Sequence, residues 1–144
     1  MKHKQLKFIL IAIFFASFTA QAQNPINWSE KELMEPAALA KIITDKKELP
    51  LIISVGPGAL IPGSVDAGPA NDAANLEGFK KSLADKNKDT KVVVYCGCCP
   101  FAQCPNVRPA IKALKDAGFT NYYLLNLPKN LKTDWIDKGY PTVQ

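Results

Sequence analysis

Short apolar runs alternate along this chain with longer stretches of helical spacing. Residues 49–55 (LPLIISV) and 91–95 (KVVVY) are continuous and rich in β-branched side chains, as strands buried on both faces are, and 121–126 (NYYLLN) reads as a third strand. Ser29-Glu30-Lys31-Glu32 has the form of a capping box, and Leu39, Ile42 and Ile43 share a face after Pro36, which predicts two short helical pieces broken near that proline. Residues 71–87 place Ala74, Phe79 and Leu83 inward and lysines outward, and Ile111, Leu114 and Ala117 line one face after Arg108 until Gly118 closes that helix. Residues 131–138 form a last short helix carrying Trp135. Gly56-Pro57-Gly58 and Ile61-Pro62-Gly63-Ser64 are loop signals. Strands separated by helices give βαβ units, so the expected architecture is α/β, a central parallel sheet with helices on both faces.

The first residues add a different kind of segment. Lys2, Lys4 and Lys7 precede an apolar stretch at 8–18, and Ala20-Gln21-Ala22 has the small-residue spacing of a cleavage site. Residues 1–22 are therefore expected to be a secretory signal peptide cut after Ala22, leaving 23–144 as a single domain in the periplasm or outside the cell. The apolar stretch is short for a membrane span, so no membrane association is expected after cleavage. The chain carries a formal charge of +5, but removing the segment leaves fifteen cations against thirteen acids. With those charges interspersed, nucleic-acid binding has no support. The one histidine is His3, so the mature chain has no Cys-His pair, no Ser-His-Asp triad and no histidine metal ligand.

The candidate chemistry lies between the second strand and the helix that follows it. All four cysteines, Cys96, Cys98, Cys99 and Cys104, and the only arginine, Arg108, fall there. The crevice beyond strand ends in an open α/β sheet collects ligands, because helix amides and the helix dipole face it. The eleven residues from Gly97 to Val107 are uncharged, so a thiol on this loop is tuned by backbone amides, the next helix and Arg108, all favouring a thiolate. Asn106 is placed to cap that helix, and Pro109 fits its first turn.

These residues resemble the active-site half of rhodanese-like (sulfurtransferase) domains: the strand ending at Cys96, a loop, then Arg108, Ala110, Leu114 and Ala117-Gly118-Phe119-Thr120-Asn121. Glu35-Pro36-Ala37-Ala38-Leu39-Ala40 is similar to the family's opening helix, Ile61-Pro62-Gly63-Ser64 to its I-P-G-A turn, and Trp135 with Gly139-Tyr140-Pro141 to its W...G-x-P ending. The resemblance implies a rhodanese-like three-layer fold and a sulfurtransferase that carries sulfane sulfur as a persulfide on Cys96. The donor would be a small sulfur-containing anion such as thiosulfate and the acceptor a thiol, with a thiol protein as a candidate partner and no cofactor. Three features depart from the pattern. Ser54-Val55-Gly56 stands where the family has D-x-R, the cysteine loop is longer, and Asn130-Leu131-Lys132 replaces a glycine pair.

Cys96 and Arg108 are thus the candidate catalytic residues, and Gly97, Cys98, Cys99, Phe101 and Asn106 the candidate loop or substrate-binding residues. Cys98, Cys99 and Cys104 are candidate resolving or disulfide-forming thiols. Alternatives stand beside this. Cys96 and Cys99 form a C-x-x-C for thiol-disulfide exchange. Cys104 has the option of a structural disulfide with Cys98 or Cys99. Cys96, Cys99 and Cys104 are near enough in sequence to bind a soft metal. Arg108 either binds an anionic donor or caps the loop through its carbonyls, and Phe101 either walls a pocket or anchors the loop. Trp135 and Tyr140 are expected in the core, while Asp66 and Asp72 lie on loops within reach of the site.

Overall fold

A computed structural model describes residues 28–143. The expected signal peptide at 1–22 lies outside them. Among the described residues, no helix is long and apolar enough to cross a membrane.

Five parallel strands form one sheet, in the order β1 (Leu33–Met34), β5 (Tyr122–Leu125), β4 (Val92–Tyr95), β2 (Leu51–Ser54) and β3 (Ser64–Asp66). Pro36–Asp45 is helix α1, Ala73–Leu83 α2, Val107–Asp116 α3 and Leu131–Asp134 α4. The alternation of side chains along each strand divides the interior in two. Val92, Val94 and Cys96 face Phe79 and Leu83 of α2 and Val107, Ala110, Ile111 and Leu114 of α3. Val93 and Tyr95 face Leu39 of α1, Leu131 of α4 and Trp135. This is the three-layer α/β arrangement that the pattern of strands and helices predicts. β4 is buried along its whole length, and each fully buried valine there contributes about 1.5–3 kcal/mol.

The differences from the sequence reading lie at edges and ends. The first helical piece is a single 3-10 turn, Glu30–Glu32, with the Glu32 carboxylate accepting from the Ser29 amide at 3.1 Å and its hydroxyl at 2.8 Å. It is followed by the two-residue edge strand β1, too short to leave a periodic signal. β3 is the other edge, with Val65 exposed, so it lacks the apolar run of a central strand. On α2 the inward positions are Leu76, Phe79 and Leu83, while Ala74 is exposed. On α3 Ala110 and Ala113 are buried, whereas Ala117 is an exposed C-cap. Gly118, at φ +80°, then turns the chain in the left-handed conformation that glycine adopts without strain. The last helix stops at Asp134, and a 3-10 turn, Ile136–Lys138, follows. As expected for a core residue, Trp135 is fully buried; its indole donates to the Pro141 carbonyl at 2.7 Å and meets the Tyr140 ring edge-on at 5.2 Å.

Tyr95 ties the loop after β2 to the centre of the sheet. Its hydroxyl accepts from the amides of Leu60 at 3.1 Å and Ile61 at 3.4 Å and lies 3.1 Å from the Ser64 hydroxyl. Tyr95→Phe removes the acceptor and leaves the buried Ile61 amide without it, so it should cost about 1–3 kcal/mol in urea unfolding. A loss below about 0.5 kcal/mol would show that the loop finds other partners.

Candidate functional site

The site is built at the carboxyl ends of β2 and β4, where the chain leaves the sheet twice. After β2 the backbone stays against β4, with the Val55 amide donating to the Tyr95 carbonyl at 2.9 Å and the Ala70 amide returning to the Val55 carbonyl at 3.1 Å. Where the rhodanese-like pattern has charged residues, this chain uses neutral ones. The Ser54 hydroxyl donates to the Gly58 carbonyl at 2.7 Å, and Gly56 lies against Cys96 so closely that a Cβ there would stand 2.5 Å from the cysteine sulfur.

After β4 the cysteine loop is pinned from three sides. The Gly97 carbonyl accepts from the Leu131 amide at 3.1 Å, and a Cβ on Gly97 would press within 3.2 Å of the Leu131 side chain. The Phe101 amide donates to the Leu127 carbonyl at 3.2 Å, and its ring packs against the α2/α3 side of the core. Phe101 is therefore an anchor of the loop. Arg108 donates to the Ala102 carbonyl at 2.7 Å, and its guanidinium carbon lies 5.6 Å from the centre of the Trp28 ring. The Ala102 contact is the loop capping that the sequence allows for this residue.

The four cysteines are free thiols gathered into one cluster. Cys96 and Cys104 are buried, Cys99 is half-buried and Cys98 is exposed. The Cys98 sulfur lies 3.3 Å from that of Cys96 and 3.4 Å from that of Cys99. The Cys96, Cys99 and Cys104 sulfurs lie within 4.8 Å of one another, so these three are able to share a metal ion. The C-x-x-C pair is thus inside the cluster, with Cys98 touching both of its members.

Asn106 occupies the N-cap position of α3 but makes no side-chain cap. The residue instead joins the two loops: Oδ1 accepts from the Asn71 amide at 3.1 Å and Nδ2 donates to the Cys96 sulfur at 3.5 Å. Because the Asn71 amide requires an acceptor, the amide group is oriented with its NH2 toward the sulfur. The partners seen in the structure therefore reassign Asn106 from helix cap to sulfur ligand. Asp66 and Asp72 are engaged locally. Asp66 accepts from the Gly68 amide at 2.9 Å, and Asp72 caps α2 through the amides of Ala74 and Asn75 at 2.9 and 3.0 Å.

These contacts single out one thiolate. The Cys96 thiol is held down to about 5, first by the Cys104 thiol donating to its sulfur and then by the Cys98 backbone amide, the Asn106 side chain and the Cys98 thiol. Burial works in the opposite direction. Cys104 is pushed above the usual thiol range, chiefly because it donates to Cys96. Cys98 is raised to about 12, by partial loss of water around its sulfur and by the Cys96 and Cys99 sulfurs beside it. The cluster can thus hold one nucleophilic sulfur, with Cys98 and Cys104 protonated beside it. Gly56 was not among the residues the sequence pointed to, and Asn106, named there as a loop residue, makes a contact with Cys96 in place of the expected cap, since both contacts arise only when the two loops meet.

The chain matches no protein-family model and no curated protein.

The pH profile of alkylation checks this ordering of the thiols. Labelling of Cys96 by iodoacetamide, followed by peptide mass, should hold level from pH 8 to about 6 and fall about tenfold per unit below about 5, where its sulfur protonates. Asn106→Ala removes a donor to the anion, so the midpoint should move upward. A midpoint near that of an ordinary thiol in the unaltered protein would disprove the assignment.

Proposed function

We propose that this protein is an exported rhodanese-like sulfurtransferase in which Cys96 carries sulfane sulfur. The observation that supports it most is the seat of the Cys96 sulfur. It sits at the end of the central strand, against a glycine, with donors from Asn106, Cys98 and Cys104 turned toward it. Donors arranged around a sulfur stabilise a thiolate and a persulfide alike, since both are anions. No histidine is needed for such chemistry, in keeping with the composition of the mature chain.

In the loading step the Cys96 thiolate attacks the outer sulfur of thiosulfate. The Cys96–S bond forms, the bond between the two thiosulfate sulfurs breaks, and sulfite leaves with the electron pair. Delivery to a thiol on a protein, larger than thiosulfate, needs an exit, because Cys96 is only 3% exposed. Cys98, exposed and 3.3 Å away, is the thiol to receive the outer sulfur from Cys96 and present it to an external thiol. The persulfide bond to Cys96 breaks and a new one forms on Cys98; Cys96 leaves as its stabilised thiolate, and the Cys98 proton goes to solvent. Arg108 acts through the loop by holding the Ala102 carbonyl.

Mass spectrometry after thiosulfate treatment tests the reading. The reduced protein should gain one sulfur atom, removable by a thiol reductant and absent in Cys96→Ala. In Cys98→Ala the sulfur should load but pass to an external thiol about tenfold more slowly or worse, since a buried sulfur is poorly reached. An unchanged mass in the unaltered protein, or equal loading of Cys96→Ala, sinks the proposal.

A further inference from the structure

Sulfur transfer through Cys96 and Cys98 leaves Cys99 and Cys104 with no step of their own, yet the sulfurs of both converge on that of Cys96. The three lie within 4.8 Å of one another. Around a single ion with metal–sulfur bonds of about 2.3 Å, three sulfurs stand about 4.0 Å apart, so closing the triangle takes shifts of less than about 1 Å. Two corners are fixed by the fold. Cys96 directly follows β4 and lies against Gly56, and Cys104 is fully buried just before α3. Cys99 completes the set from the loop, half-buried against the same side of the core.

The donors also select the kind of ion. Every residue between Cys96 and Arg108 is uncharged, and the only histidine of the chain is His3, so the cluster offers sulfur without carboxylate or imidazole. Sulfur-only sites favour soft closed-shell ions over hard ones. Structural zinc sites take four ligands, whereas three sulfurs suffice for Cu(I), and here the fourth cysteine is the exposed Cys98. Neutral N–H groups are in place to spread the charge of the bound thiolates: the Asn106 side chain and the Cys98 amide at Cys96, and the Asn106 and Val107 amides at Cys104.

The geometry points to a three-thiolate site for Cu(I) formed by Cys96, Cys99 and Cys104. It goes beyond sulfur transfer and competes with it, because the same Cys96 sulfur serves either the metal or the sulfane sulfur. Binding forms three metal–sulfur bonds and releases one proton for each ligand that enters as a thiol, with no change of oxidation state.

The test is an anaerobic titration of the reduced, full-length protein with Cu(I) against a coloured Cu(I) chelator, with Zn(II) and a coloured zinc chelator as the parallel arm. The protein should retain one equivalent of copper. Cys99→Ala and Cys104→Ser should each weaken retention by about 100-fold or more, at or beyond the 10–100-fold typical of losing an outer-shell partner, and Cys98→Ala by less than about tenfold. Circular dichroism verifies the fold of each variant, and half-buried Cys99 keeps the site testable if buried Cys104 does not tolerate serine. Three results overturn the proposal: no copper withheld from the chelator, full retention in Cys99→Ala, or preferential Zn(II) binding that is lost in Cys98→Ala and so marks a four-thiolate zinc site. No sulfur donor is present in this titration, so its failure leaves the thiosulfate result standing, and failure of sulfur loading leaves the titration unaffected.

Discussion

The contact between Gly56 and Cys96 joins the carboxyl ends of two neighbouring parallel strands at the distance of a missing side chain. Any Cβ at position 56 would stand 2.5 Å from the Cys96 sulfur, inside the contact distance of the two atoms. Because position 56 is bare, the loop after β2 can close over the end of β4. From there the hydrogen bonds of Val55 and Ala70 carry the chain round to Asn71, whose amide orients Asn106. Consecutive residues at the end of β4 serve opposite layers. Tyr95 grips the loop through Leu60 and Ile61 on one face, and Cys96 presents its sulfur on the other. The first loop is therefore bound at two points by adjacent residues of a strand buried along its length.

The central architecture was legible because its signals are strong ones. Continuous apolar runs at β2 and β4, helical spacing after Arg108 and a glycine at the end of α3 each reflect burial or a backbone constraint that leaves a mark on sequence. The edge strands were not, since β1 has two residues and β3 faces solvent with Val65, and neither needs an apolar pattern to pair. At the site, Cys96 could be placed from its position after a strand. Burial of Cys104 and the role of Asn106 could not, for a loop of uncharged residues has no periodicity to say which side chains turn inward. Local rules assign an asparagine before a helix to capping, and tertiary contact with Asn71 and Cys96 overrides them.

A buried anion is costly unless donors replace the water it loses. Here the donors at Cys96 are neutral: a thiol, an amide side chain, a backbone amide and a second thiol. Arg108, the one cation that the sequence places beside the loop, holds the Ala102 carbonyl and stacks on Trp28. Neutral donors disperse part of the charge on sulfur without pairing it with a cation, so the sulfur stays an anion able to attack or to ligate.

The fixed orientation of Asn106 has an evolutionary consequence. One end of its amide must accept from the Asn71 backbone and the other must donate to sulfur, so the position requires a side chain with both polarities at that length. Aspartate has the same shape but only acceptors when ionised, and would set a second negative charge beside the thiolate; serine is too short to span both loops. Drift at position 106 is therefore confined more by polarity than by volume, although the residue lies in a loop, where sequence usually varies most freely.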